Sequence, residues 1–153
     1  MEPGGAEVRV QRSLQAITMA LKQVIIVNKG LKMRAGKMAA QVAHAAMAFL
    51  TSQFHDQLTD PADNRCGKQV VHAAISNTQR EWVRGNYRKI VAYVESHEEL
   101  LKIIEQAQDA GIASYPIIDA GLTEFKEPTM TCVALGPDED QRLDPITGGL
   151  KLL

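Results

Sequence analysis

The sequence predicts a small α/β domain in which helices pack on a sheet of four strands. Apolar runs of strand length alternate with longer helical segments, in the order β-α, a long connection, and then β-α-β-β. Strands that alternate with helices are typical of layered α/β folds. The length of 153 residues fits one domain, and a hydrophobic fraction of 45% is enough for a core.

The first half of this pattern is a strand followed by a helix. Residues 22–28 contain a β-branched run between polar neighbours, which predicts a strand buried on both faces. A loop follows at residues 29–36. Residues 37–53 then predict a helix, because they are rich in Ala and Met, contain no Pro, and repeat apolar side chains at the helical period.

Residues 52–86 are predicted to form a long connection. Residues 60–64 have the composition of a turn, and residues 69–75 fit either a short helix or a strand. Residues 79–84 predict a helical turn. No regular pattern extends through this part of the chain, so we expect it to be an insertion between the first helix and the second strand.

A second strand and a second helix follow the connection. Residues 88–95 predict the strand, and the apolar stripe after them predicts the helix. Ser96 and Glu99 have the spacing of a capping box, in which the side chain of each residue accepts a hydrogen bond from the backbone N–H of the other. Gly111 is expected to end the helix in the left-handed conformation that favours glycine.

Two further short strands are predicted after this helix. Residues 113–118 predict the third strand, and Pro116 favours an edge position because it has no N–H to donate. Residues 130–135 predict the fourth strand, which Gly136-Pro137 is expected to end. A short acidic segment then leads to a tail at residues 149–153.

The domain is expected to span residues 21–153. Residues 1–20 have no long apolar run of the kind a signal peptide needs, and we expect them to be a flexible leader or N-terminal extension. No apolar stretch approaches the roughly 18 residues of a membrane-spanning helix. The sequence therefore predicts a cytoplasmic protein that does not enter a membrane.

Charge is distributed unevenly along the chain. The net charge of −1 excludes a globally basic nucleic-acid binder. Residues 1–50, however, hold seven basic residues against two acidic ones, whereas residues 51–153 hold ten against sixteen. Residues 22–37 contain five basic residues and no acid, so we expect this segment to face an anionic ligand.

Several kinds of site are disfavoured. Cys66 and Cys132 form no CxxC, and the four histidines form no HxxxH or HExxH, so no metal site is predicted. Two free thiols fit a reducing cytosol. The segment from Gly30 to Met38 lacks both the spacing of a phosphate-binding P-loop and its Mg²⁺-binding Ser or Thr.

Three polar residues of the first helix share one stripe. Lys37, Gln41 and His44 are spaced so that all of them can face a cleft. Lys37 lies at the start of the helix, where backbone N–H groups favour anions. Hydrogen bonds to the facing loop are an equally good explanation for the presence of Gln41, and they are the favoured explanation for His44.

Asp119 lies where the third strand ends. Ligands of open α/β sheets lie beyond the carboxyl ends of parallel strands, so loops 29–36 and 119–124 are expected to meet there. Asp119 then either stabilises its own turn or acts as a general base or a partner for Lys37. Thr123 and Thr131 add hydroxyl groups to the same region.

The chain resembles the type 2 peptidyl-tRNA hydrolase family, and the resemblance extends over about residues 21–153 apart from roughly 52–86. Its order and spacing fit throughout. The segments that carry it are LKMRAGKMAAQVAHAA at 31–46, VESHEELLKIIEQAQDAG at 94–111, SYPIIDAGLTEF at 114–125, ALGP at 134–137 and TGGLKLL at 147–153.

The resemblance implies a three-layer α/β/α domain with a mixed four-stranded sheet, a homodimer and no cofactor. It implies hydrolysis of the ester that joins a peptide to the 3′ end of tRNA, with peptidyl-tRNA as substrate. By position, the family's functional Lys and Gln fall on Lys37 and Gln41. Its Asp and Thr fall on Asp119 and Thr123, and a second Thr falls on Thr131.

The loop at residues 29–36, which we call the basic loop, departs from the family pattern. Gly30 stands where the family usually has an acid, and Arg34-Ala35 stands in place of a Gly-Lys pair. The predicted tRNA contacts are Lys29, Lys32 and Arg34. We expect Lys32 and Arg34 to contact phosphates, because neither has an acidic neighbour in the sequence.

Three functional hypotheses follow. In the first, water attacks the ester directly, Asp119 orients or deprotonates this water, and Lys37 and Gln41 stabilise the oxyanion or position the ester. The second is a non-catalytic RNA- or protein-binding module of the same fold, favoured by Leu122 where the family usually has a basic residue. The third is a small-molecule enzyme that binds a phosphate at Gly36-Lys37.

Overall fold

The computed structural model describes residues 20–58 and 69–153. The elements in chain order are β1 (Leu21–Asn28), a 3-10 turn (Lys29–Leu31), α1 (Ala35–Thr51), α2 (His55–Leu58), α3 (Asn77–Arg84), β2 (Lys89–Val94), α4 (His97–Asp109), β3 (Ser114–Asp119), β4 (Thr129–Glu139), α5 (Asp140–Thr147) and β5 (Lys151–Leu152). The turn expected at residues 60–64 and residues 1–19 of the expected leader lie outside the described residues.

The sheet is mixed, as expected, and its strand order is β3-β4-β1-β2-β5. β1 and β2 are parallel, whereas β4 is antiparallel to both β1 and β3. β1, β2 and β3 therefore run in the same direction and end at one edge of the sheet. This edge carries the loops that follow β1 and β3. β3 lies at the outer side of the sheet, where Pro116 needs no ladder partner for the N–H it lacks.

The prediction of four strands is wrong, because the tail forms a fifth. β5 pairs antiparallel with β2, with Leu152 opposite Ala92 and Lys151 opposite Tyr93. A strand of two residues has no periodicity that sequence reasoning can detect. Its position is set by pairing with β2.

The prediction that Gly136-Pro137 ends the fourth strand is also wrong. β4 continues to Glu139, and its pairing with β1 shifts register between Lys22 and Val24. The two residues Gly136 and Pro137 occupy this irregularity, where the ladder does not require an N–H from proline. The acidic segment that follows is helix α5, which forms with Pro145 inside it.

Alternate side chains of the sheet contribute to two cores, one on each face. On one face, strand residues pack against α4 and α5, and the core includes Val24, Ile26, Leu100, Ile103, Val133 and Leu143. On the other face, strand residues pack against α1, and the core includes Ile25, Val27, Ala45, Cys132 and Ala134. Both faces of β1 are buried, as its apolar run predicts, and helices cover both sides of the sheet.

Residues 69–75, which were expected to form either a short helix or a strand, form neither. The segment is extended, and it pairs with glutamine side chains instead of with another strand. Gln53 donates to the carbonyl of Ala74 and accepts from its N–H, at 3.1 and 2.9 Å. Gln57 makes the same two bonds with His72, at 2.7 and 2.8 Å. Two amides one helical turn apart thus match alternate residues of an extended chain.

The two predicted ends of α4 are largely correct. Ser96 accepts from the N–H of Glu99 at 3.2 Å, but the Glu99 carboxylate bonds the N–H of Glu95 instead of that of Ser96. Gly111 has φ +65°, and Ile112 donates to the carbonyl of Ala107. This Schellman motif satisfies the last carbonyls of the helix.

Candidate active site

The site lies at the edge where β1, β2 and β3 end. Lys37 is the third residue of α1, which follows β1 after a short loop. Asp119 is the last residue of β3, and Thr123 lies in the loop after it. Because β1 and β3 run in the same direction, the start of α1 and the end of β3 reach the same edge. Loops 29–36 and 119–124 meet there, as predicted.

Lys37 and Asp119 form a salt bridge that is largely shielded from solvent. Nζ of Lys37 donates to Oδ1 of Asp119, and the two side chains are 13% and 12% exposed. The same ammonium donates to Oγ1 of Thr123 at 2.9 Å. The backbone N–H of Gly121 donates to Oδ2 of Asp119 at 3.0 Å, so the carboxylate also holds its own turn.

Gln41 lies one helical turn behind Lys37 and is buried. Its Nε2 lies 3.4 Å from Oδ1 of Asp119, and its Oε1 accepts the hydroxyl of Thr131 at 2.6 Å. An ionised carboxylate can only accept, so the amide must turn its NH₂ towards Asp119. Thr131 is fully buried and touches the site only through Gln41.

The contacts of Asp119 keep its carboxyl ionised. The hydrogen bond from Lys37 is the largest cause that lowers the pKa of this carboxyl below 3.8, and the N–H of Gly121 lowers the pKa further. Desolvation acts in the opposite direction but does not prevail. Asp119 is therefore a weak base that holds its negative charge at neutral pH.

Counting donors and acceptors shows what the site still offers to a ligand. A carboxylate has about four acceptor positions, and the three bonds to Asp119 leave one on Oδ2. The ammonium of Lys37 carries three hydrogens, of which Asp119 and Thr123 accept two. The amide of Gln41 has a second N–H. One acceptor therefore lies beside two unused donors.

Arg34 was expected to contact phosphates rather than an acid of the protein, and the second part of this expectation is wrong. Nε of Arg34 donates to Oε1 of Glu124 at 2.8 Å, and the pair lowers the pKa of Glu124. The two residues are far apart in the sequence and meet only because the two loops meet. Lys29 and Lys32 are exposed, and Lys32 has φ 52° at the end of the 3-10 turn.

Sequence reasoning missed Glu124, and its position beside Thr123 is the only signal that marks it. His44, the third member of the predicted stripe, is exposed and takes no part in the bonds that join Lys37, Gln41, Asp119 and Thr123. Cys132 is buried, and burial raises the pKa of its thiol to about 11. Its Sγ donates to the carbonyl of Gln41, so it supports α1 as a neutral thiol.

Two features are absent from the described ranges, 20–58 and 69–153. Within them, no group of three or more His, Cys, Asp or Glu side chains is placed to hold a metal ion. No helix in the same ranges has the length and apolar content needed to cross a membrane.

Comparison with known proteins shows the family of the chain. Residues 21–153 match the family model described as peptidyl-tRNA hydrolase PTH2. A peptidyl-tRNA hydrolase of Methanothermobacter thermautotrophicus is 37% identical over 133 residues, which are 87% of this chain and 100% of that protein. Proteins with the same description from Methanopyrus kandleri and Nanoarchaeum equitans are 38% and 39% identical, over 86% of this chain and 97% and 98% of theirs. The chain belongs to the peptidyl-tRNA hydrolase PTH2 family.

Proposed function

We propose that this protein is a peptidyl-tRNA hydrolase, which cleaves the ester between a peptide and the 3′ end of tRNA and so recycles the tRNA. The observation that carries this proposal is the Lys37–Asp119 pair, with Gln41 and Thr123 bonded to it at one edge of the sheet. Ester hydrolysis needs a positioned water and donors for an oxyanion, and this group offers both.

Asp119 orients the attacking water. The free acceptor position on Oδ2 takes one of its hydrogens, and the water oxygen then faces the ester carbon. Because the contacts of Asp119 lower its pKa, the carboxylate does not remove a proton before attack. Asp119 accepts a proton from the water as the new C–O bond forms, and this proton passes to the ribose oxygen when the C–O bond to the ribose breaks.

Lys37 and Gln41 stabilise the charge that develops on the carbonyl oxygen. Each has one N–H that no group in the site accepts, and the positive charge of Lys37 makes its bond to an oxyanion stronger than a neutral one. Thr123 accepts from Lys37, which leaves its own hydroxyl hydrogen to bind the substrate. Thr131 acts as a positioning residue, because it is buried and holds the amide of Gln41.

The basic loop holds the tRNA in this proposal. Lys29 and Lys32 are exposed at the active-site edge. Arg34 is bonded to Glu124 through Nε, but its terminal nitrogens face solvent and its side chain is 84% exposed. A guanidinium has five N–H donors, so Arg34 can contact a phosphate while it keeps Glu124.

We further propose that the protein is a cytoplasmic homodimer. Exposed apolar side chains such as Ile118 and Leu152 lie on β3 and β5, the outer strands of the sheet. Two-fold pairing is the commonest way to cover such surfaces. Light scattering at micromolar concentration should give about twice the 16.8 kDa of one chain, and a monomer mass would refute the dimer.

The most direct test of the proposed function is an assay that measures the release of tRNA from purified peptidyl-tRNA. The wild-type chain should turn over many substrate molecules per protein molecule, in the presence of a chelator as well as without it. A chain that binds tRNA tightly and releases none would be the non-catalytic binding module instead. Aminoacyl-tRNA with a free amino group serves as a second substrate to define which ester is cleaved.

A further inference from the structure

One face of the sheet near β5 has little cover from the described part of the chain. Helix α1 packs mainly on β1, β3 and β4. On the same face, the side chains of β2 beyond it are only partly buried, namely Lys89, Val91 and Tyr93. Because these side chains remain partly exposed beside the active site, a ligand can contact them there.

The strand register places basic and aromatic side chains together on this open face. Tyr93 and Lys89 are four residues apart in β2 and so point the same way. Lys151 is paired directly with Tyr93, so its side chain lies on the same face. The ammonium of Lys29 lies 4.1 Å from the centre of the Tyr93 ring. We call Lys29, Lys89, Lys151, Tyr87 and Tyr93 the lysine strip.

At the end of the lysine strip away from the active site, the ammonium of Lys89 packs against two aromatic rings. Nζ of Lys89 lies 3.1 Å from the centre of the Tyr87 ring and 4.6 Å from that of Trp82. Partial burial lowers the pKa of this ammonium. A ligand that brings a negative charge close to it would favour its charged form again.

The three lysines of the strip have no acidic partner among the described residues, although Nζ of Lys89 also donates to the carbonyl of Tyr87 at 3.2 Å. In residues 20–58 and 69–153, none of the ion pairs includes Lys29, Lys89 or Lys151. Lys22 and Arg88, in contrast, are bound to the acids of α5. The strip therefore presents unpaired positive charge beside aromatic rings, which is the combination that single-stranded nucleic acids bind.

We propose that the lysine strip binds the sugar–phosphate backbone of the tRNA, next to the 3′ end that enters the active site. This inference rests on the proposed function. The strip begins at Lys29 and Tyr93, at the edge where Lys37 and Asp119 lie, and continues along β2 to Lys89. A second copy of the chain fits this face poorly, since two-fold pairing of the face with itself would bring lysines against lysines.

The test uses deacylated tRNA, which has no ester, so the result does not depend on turnover. Binding is measured for wild type, for the double variant Lys89→Gln/Lys151→Gln, whose two lysines belong to the strip but not to the loop at residues 29–36, and for the control Lys102→Gln on the exposed side of α4. The double variant should bind about tenfold more weakly, and the slope of log affinity against log salt should flatten by about 1.5, as expected for two lost phosphate contacts. The control should match wild type.

Two outcomes would overturn the proposal. One is unchanged affinity and salt slope in the double variant. The other is a change of oligomeric mass in that variant, which would make the strip an interface between copies. Tyr93→Leu gives an independent check, because loss of a stacking ring should weaken binding and leave the salt slope as it was. Failure of the wild type to hydrolyse peptidyl-tRNA would reject the proposed function while these binding results remained valid.

Discussion

Thr131 donates its hydroxyl hydrogen to Oε1 of Gln41 over 2.6 Å, and both side chains are buried. This bond connects β4 to α1 below the salt bridge of Lys37 and Asp119. It fixes the orientation of the Gln41 amide, because only Oε1 can accept from Thr131 while Nε2 faces the carboxylate. A residue that the substrate does not reach therefore determines where one N–H of the site points.

Thr131→Val should lower activity through Gln41. The substitution keeps the shape of the side chain and removes the hydroxyl, so the buried Oε1 of Gln41 loses its donor. We expect kcat to fall about tenfold while KM changes little, and stability to fall by about 1–3 kcal/mol because a buried acceptor is left unsatisfied. Steady-state kinetics and urea unfolding measure the two effects.

Thr131→Ser is the matched control, since it restores the hydroxyl. Its kcat should recover to within about threefold of wild type, although the lost methyl group costs about 1 kcal/mol of stability. If Thr131→Val and Thr131→Ser lost stability and activity alike, the role of the hydroxyl in positioning Gln41 would be refuted.

The carboxyl of Asp119 should titrate at unusually low pH. Carbon-detected NMR of this carboxyl should give a pKa below 3.8 in wild type, and a higher pKa in Lys37→Met, where desolvation acts without the ammonium. The bond's contribution to stability is accordingly present at neutral pH and lost as the pH falls through the lowered pKa. Equal pKa values in the two proteins would show that Lys37 does not control Asp119.

Gln53 and Gln57 should hold residues 69–76 against the end of α1. Each amide makes two bonds to the extended chain, so each replacement by Ala should lower the local free energy of opening by about 1–3 kcal/mol. Native-state hydrogen exchange at the N–H of His72 and Ala74 measures this loss. Gln108→Ala, at an exposed position of α4, is the control, and it should leave both backbone amides as protected as in wild type.

Cys132 should be inert at neutral pH. With a pKa of about 11 and a buried Sγ, only about one thiol in a thousand is ionised at pH 8. In a Cys66→Ser background, a thiol reagent should react with Cys132 only after denaturant is added, and hydrolysis should be unaffected. Rapid labelling of the folded protein with loss of turnover would instead indicate a thiol mechanism.

The sequence predicts well what depends on local pattern. The β-branched run of β1, the apolar stripe of α4 and the left-handed Gly111 each correspond to a structural requirement that neighbouring residues reveal. The meeting of Lys37 with Asp119 is also predictable, because parallel strands end at the same edge of a sheet.

What the sequence does not predict depends on contacts between distant segments. Arg34 and Glu124 are partners only because two loops converge, and β5 exists only because it pairs with β2. Residues 69–76 have no periodicity of their own, since glutamine side chains on another segment supply their bonds. β4 runs past Gly136-Pro137 because the irregular register with β1 accommodates a proline.

The most direct measurement is the single-turnover rate of ester hydrolysis in peptidyl-tRNA by Lys37→Ala and Asp119→Asn. Each variant should fall about a hundredfold or more below wild type, because each loses a charged group that acts on the reacting atoms. Lys102→Ala and Asp109→Asn, at exposed positions of α4, serve as controls and should retain the wild-type rate. Near-normal hydrolysis in both site variants, with the fold verified by circular dichroism, would contradict the account.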